Sequence, residues 1–147
     1  MSTRAERVPE HLPGDELLAP LPMGAMFLFG LNNWVLKATY GNWLTGKLSD
    51  FAACFFVPFL ISAVLGSLGS KRSVEHRVRI GAIVTALVMT LVKTSVLASS
   101  VLDSTLAVFL PEAFESTNIV DPTDLLALPF CALAVLHARR FERLASS

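Results

Sequence analysis

Two ionisable residues stand in stretches otherwise built from Leu, Val, Ile, Ala and Phe: Lys93 and Asp124. In hydrocarbon such a side chain costs about 2.5 to 3.5 kcal/mol on insertion scales, so its presence there asks for a partner or a function. Lys93 lies thirteen residues after Ile80 and Asp124 twelve before Leu136. At about 1.5 Å per helical residue these are depths of roughly 20 and 18 Å, so the two share a level. Asn33, twelve residues after Leu21 and next to Asn32, reaches the same level. Lys37 follows Asn33 by four residues and shares its helical face, and Asp50 and Cys54 are likewise four apart. The expected constellation is Asn33, Lys37, Asp50, Lys93, Asp121 and Asp124, with Lys93 and Asp124 as the central pair. Two kinds of chemistry suit it. A buried ion pair can fix helix register or carry charge, and a desolvated lysine beside a carboxylate can act as base or nucleophile.

The elements that must position these groups read as membrane helices. Of 147 residues, 53% are hydrophobic and 16% charged, with a mean hydropathy of +0.59; soluble domains carry about 25% charged residues. A spanning helix needs about 20 apolar residues, and four stretches approach that, at about 21–37, 50–69, 80–102 and 121–137. Pro58, inside the second, is tolerable where neighbouring helices satisfy the freed carbonyl. The fourth is short of apolar length and has to draw in the segment around Asp121 and Asp124. The expected fold is therefore an all-α integral membrane protein, a four-transmembrane-helix bundle over 21–137. Residues 1–20, polar and interrupted by Pro9, Pro13 and Pro20, read as a flexible tail, and 138–147 as a basic tail.

Basic residues set the orientation. Lys71, Arg72, Arg77 and Arg79 separate the second and third stretches, and Arg139, Arg140 and Arg143 follow the fourth, whereas 103–124 holds five acidic residues and no Lys or Arg. This asymmetry places both termini in the cytoplasm, with only Lys37 and Lys47 against it. Trp34, Tyr40 and Trp43 group near the outer end of the first stretch as an aromatic belt would. Thr90, Lys93, Ser100 and Ser104 fall on one stripe if the third stretch is a single helix, and Thr105–Glu115 reads as either a broken interfacial helix or its continuation. Gly24, Gly30, Gly66, Gly69, Ala82 and Ala86 offer small surfaces for helix contact.

Gly46, Leu48, Ser49 and Asp50 superficially resemble the G-x-L-x-D loop of major facilitator transporters, but Phe51-Ala52-Ala53-Cys54 follows where that family has Arg, Gly and basic residues. The run is read instead as a turn in which Ser49 or Asp50 caps the second helix. Asp121 or Thr123 would cap the fourth, with Pro122 in its first turn. Cys54 and Cys131 have no C-x-x-C spacing and no His nearby, so they read as packing residues rather than an exchanging pair or zinc ligands. No phosphate loop, H-E-x-x-H or dinucleotide fingerprint is present, so no cofactor and no metal are expected. Twelve basic residues cancel twelve acidic ones, which argues against a nucleic-acid partner.

The expected function is that of a small multi-pass protein of a bacterial inner membrane. It would act as a homo-oligomer or with a membrane protein partner, among membrane lipids, with ion conduction as a special case. An enzyme acting on a lipid or lipid-linked substrate at the outer leaflet is the first alternative, and a non-catalytic scaffold the second.

Overall fold

The computed structural model describes residues 12–109 and 121–145, and among these every regular element is helical. Helix α1 (Pro20–Leu31) begins where two prolines, Pro20 and Pro22, take positions whose N–H groups a helix start leaves unpaired. It runs without a break into a π-turn, Asn32–Leu36, and a last turn, α2 (Lys37–Tyr40). Gly41 ends it at φ +41, a left-handed conformation that glycine adopts without steric penalty. Asn42 then caps α3 (Trp43–Ser67), its side chain accepting from Thr45 N at 3.1 Å. The cap thus lies at Asn42 and not at Ser49 or Asp50, and the helix starts seven residues before the expected position 50. Ser73 caps α4 (Val74–Thr94) by accepting from His76 N.

The third expected helix, 80–102, is not one helix. Ser95 turns extended (φ −129, ψ 119), its hydroxyl accepts from Ala98 N, and the chain restarts as α5 (Val96–Phe109) at 117° to α4. Ser100 and Ser104 therefore leave the stripe of Lys93 and stand exposed on α5. A continuation past 109 and most of the expected Thr105–Glu115 element lie outside the described residues. The last stretch is divided too. Asp121 accepts from Thr123 N and caps a 3-10 turn, Pro122–Ala127, which leads into α6 (Pro129–Ala145). The basic residues expected in a tail after 137 are thus helical through Arg143.

Helices α1, α3, α4 and α6 run between two ends. At one end meet the segment before α1, the α3–α4 turn and the far end of α6: Arg77 pairs with Glu16, Arg139 with Glu75, and Glu75 N donates to Glu142. At the other, Lys47 and Lys93 meet Asp124. The described part of the expected tail is not loose, because Glu16 is 1% exposed and its carboxylate lies against Arg77.

Inside is unusually polar and outside unusually apolar. The core consists of Phe59, Val78, Ala134 and Ala138 toward the first end and Cys54, Ala82, Ala127 and Cys131 toward the second. Buried beside them are Lys47, Ser49, Ser62, Arg77, Lys93 and Asp124. Meanwhile Phe27, Leu60, Val64, Ile83, Leu87 and Leu91 face outward. Helix α3, at 25 residues, is long and apolar enough to cross a membrane, and α4 with α5 passes the same test only as a bent pair.

Of the described glycines, Gly81 has a neighbouring backbone closest, where α4 meets α3. A Cβ on Gly81 would stand 2.6 Å from the Pro58 carbonyl oxygen and 2.9 Å from its Cα, so α4 can lie on the proline only because it has glycine there. Gly24 and Gly30, expected to admit a neighbouring helix, meet nothing or only Trp34 of their own helix.

Candidate polar site

Helix α3 supplies the middle of the site. Thr45, Ser49 and Ala52 recur at helical spacing with Lys47, Cys54 and Phe56 on its buried side, and Asp50 stands between them. Lys47 Nζ donates to Asp124 Oδ1 at 2.7 Å and Thr123 Oγ1 at 2.6 Å, and lies 3.7 Å from Asp121 Oδ2. The other oxygen of Asp124 is 2.8 Å from Lys93 Nζ, which in turn lies 3.1 Å from Asp50 Oδ2. The result is a chain of alternating charge, Asp121–Lys47–Asp124–Lys93–Asp50, drawn from α3, α4 and the 3-10 turn. Asp124 is its centre, one oxygen for each ammonium.

Burial makes this arrangement costly unless every charge is compensated. Lys47 and Lys93 are each 5% exposed. Two ammonium groups face three carboxylates, one of which, Asp121, is a third exposed. Lys37 lies near enough to Asp50 and Lys93 to feel their charge, and counting it brings three cations against three anions. It is half-buried and makes no ion pair among the described residues. Lys47 also lies 4.7 Å from the centre of the Trp43 ring, whose face attracts a cation.

A neutral annex adjoins the chain. Asn32, fully buried, donates through Nδ2 to Thr45 O and Ser49 Oγ, both at 2.6 Å, and Ser49 Oγ donates to Asn33 Oδ1 at 3.4 Å. Successive residues of an α-helix diverge by about 100°, and it is within the π-turn that Asn32 and Asn33 both reach Ser49. Such turns concentrate at functional sites. Asn32 Oδ1 is buried without a partner among the described residues.

The structure therefore brings Asp50, Lys93 and Asp124 into direct ionic contact, joins Asp121 to them only through Lys47, places Asn33 at the edge and leaves Lys37 within electrostatic reach. It adds Lys47, which the sequence reading assigned to an outer loop, and Asn32, more deeply buried than its neighbour. The early start of α3 is the missing piece: once Trp43 is helical, Lys47, Asp50 and Cys54 fall at spacings of three and four on one face.

Cys54 and Cys131 read from the sequence as packing residues. Both are buried in one core cluster with Ala82 and Ala127, α3 packing on α6 there. No group of three or more His, Cys, Asp or Glu side chains placed to hold a metal exists among the described residues.

The other end of the bundle has a smaller ionic cluster. Arg77 Nη2 and Ser62 Oγ both donate at 2.8 Å to Glu16 Oε1. Burial works against ionisation of Glu16, but the hydrogen bonds from Arg77, its own backbone and Ser62, with the Arg77 charge, outweigh it and hold the carboxyl below its ordinary value. On the surface nearby, Glu75 is held low chiefly by its hydrogen bond from Arg139, with Arg79 adding to the effect. No family model matches the chain, and no match was found among curated proteins or solved structures.

Proposed function

We propose that this chain is a small four-crossing protein of a bacterial inner membrane, working as an oligomer or as a subunit of a membrane complex, and that its buried lysine–aspartate chain conducts protons. An outward apolar surface around a charged interior is the distribution expected of a bundle in lipid. Both basic clusters lie at the end where Glu16 meets Arg77, which suits a cytoplasmic face. The 3-10 turn before α6 lengthens the fourth crossing, and α5, bent away from α4 with Val96, Leu97 and Val101 exposed, would lie along the outer interface.

The single observation that carries the reading is Asp124 shared between Lys47 and Lys93. A proton can move along a row of alternating acid and base groups if each can pass from one partner to the next, and sharing makes successive ion pairs interchangeable.

The test is proton flux into vesicles reconstituted with the purified protein and loaded with a pH-sensitive dye, driven by a potassium diffusion potential. The wild type is expected to acidify the lumen faster than protein-free vesicles. Lys93→Arg, which keeps the charge but does not release its proton, is expected to stop that flux. Wild-type vesicles no leakier than empty ones would overturn the proposal, as would full flux through Lys93→Arg.

A further inference from the structure

We propose that the π-turn Asn32–Leu36 and the facing side of α3 form a binding site for Na+, held by Asn32 Oδ1, Asn33 Oδ1 and Ser49 Oγ. The site follows from the hydrogen bonds of the neutral annex and is independent of proton conduction. Asn32 spends both amide hydrogens, on Thr45 O and on Ser49 Oγ, at 2.6 Å each. Exchanging the two ends of that amide would set its oxygen against the Thr45 carbonyl, so the orientation is fixed. Asn32 Oδ1 is left without a donor among the described residues, in a side chain that is fully buried.

The neighbouring groups are short of donors as well. Asn33 turns its amide nitrogen to Phe29 O at 2.9 Å and its oxygen toward Ser49. The Ser49 hydroxyl has one hydrogen for two distant acceptors, Asn33 Oδ1 at 3.4 Å and Thr45 O at 3.5 Å. Both lie beyond the ordinary range of an O–H donor, about 2.5 to 3.0 Å. By standard amide geometry Asn32 Oδ1 is about 2.2 Å from its own nitrogen, so both amide oxygens fall within about 5 Å of Ser49 Oγ. An ion that takes oxygen ligands at about 2.3 to 2.6 Å bridges oxygens so spaced. A cluster of acceptors without donors calls for positive charge or for hydrogens.

The adjoining charges favour the first. In the lysine–aspartate chain two ammonium groups face three carboxylates, and Asp50, the residue after Ser49, is the terminal anion. Lys37 makes no ion pair among the described residues, so contact with it does not discharge that excess. A cation in the annex offsets it, which a water molecule does not. Two amides and a hydroxyl, uncharged hard oxygens, suit a singly charged ion better than a divalent one, which takes carboxylates. The way in lies along α3: a Cβ on Gly46 would meet nothing within 4 Å, and Gly46 precedes Ser49 by three residues and Asp50 by four, on their face of the helix. Interrupted helices at membrane depth recur as Na+ sites in transporters.

The experiment measures equilibrium binding of radioactive Na+ to the full-length protein in detergent, and thermal unfolding in NaCl, KCl and N-methylglucamine chloride at equal ionic strength. A single ion is expected to bind per chain, displaced by unlabelled Na+ but not by N-methylglucamine, and Tm is expected to rise with Na+. Asn33→Ala, at the half-buried edge of the site, is expected to weaken binding about tenfold or more. The same Tm in all three salts with no saturable binding would overturn the proposal and leave the annex to water. An equal rise in KCl would overturn the choice of Na+, and wild-type affinity in both Asn33→Ala and Ser49→Ala would overturn the location. The comparison of salts needs no variant to fold, and no arm depends on proton flux, so a failure here is distinguishable from a failure of the proposed function.

Discussion

The two buried ionic clusters sit at opposite ends of α4, sixteen residues apart from Arg77 to Lys93, or roughly 24 Å along the helix. They are built differently. Glu16 and Arg77 form a closed pair: one carboxylate, one guanidinium and the Ser62 hydroxyl, each satisfying the others. The lysine–aspartate chain is open, with Asp124 divided between two lysines and Lys93 between two aspartates. A closed pair has one arrangement, so it fastens the segment before α1 to the bundle and holds still. An open chain has several arrangements of nearly equal charge balance, which is what a conducting path requires and a latch does not.

The sharpest way to break this contrast is to remove a lysine from the open chain. Lys93→Met leaves Asp50 and Asp124 without their common cation, and the loss of one partner from a buried pair typically costs about 3 to 5 kcal/mol. Chemical denaturation in detergent should show a destabilisation of that size at neutral pH, decreasing as acid protonates the carboxylates. A loss that is independent of pH would mean that Lys93 acts through packing alone. Next in size, Gly81→Ala presses a methyl group into the Pro58 backbone, between the clusters and one helical turn from Arg77, and should cost about 1 to 3 kcal/mol. That loss should show no pH dependence, which separates helix approach from electrostatics.

The closed pair makes its own prediction. Glu16 has its carboxyl lowered in the folded protein relative to an ordinary value of 4.5. Its contribution is therefore fully present above about that pH and is lost as pH falls toward the folded value. Glu16→Gln should remove about 1 to 3 kcal/mol at pH 7, the loss of a charge-assisted hydrogen bond, and flatten stability against pH in the acid range. An unchanged acid profile would show that the pair holds nothing down. The smallest effect is expected from Glu75→Gln, whose partners Arg79 and Arg139 are exposed. A slight drop in Tm that disappears in high salt is the expected result.

Depth arithmetic made the centre of the open chain legible before the fold, because Lys93 and Asp124 interrupt apolar runs and an interruption is visible without knowing the neighbours. Lys47 was hidden by a boundary. Its own surroundings, Gly46 and Leu48, say little, and only Asn42 as the cap of a helix starting at Trp43 turns it inward. The break at Ser95 gives no proline or glycine to read; a serine hydroxyl capping the next helix does the work instead. Glu16 was least legible of all, since nothing near it in the chain resembles a core position and its burial depends on Arg77, 61 residues away. Cys54 and Cys131 come into one core cluster for the same reason, through the packing of α3 on α6.

The central claim is that Asp124 binds Lys47 and Lys93 at once, and a double-mutant cycle tests it most directly. Stability is measured for Lys47→Met, Lys93→Met and the double variant at neutral pH. The account predicts clear non-additivity, on the order of 0.5 to 3 kcal/mol, because either lysine alone still compensates the shared carboxylate while removal of both leaves it bare. Strictly additive losses would contradict it, since the two lysines would then be answering to separate partners.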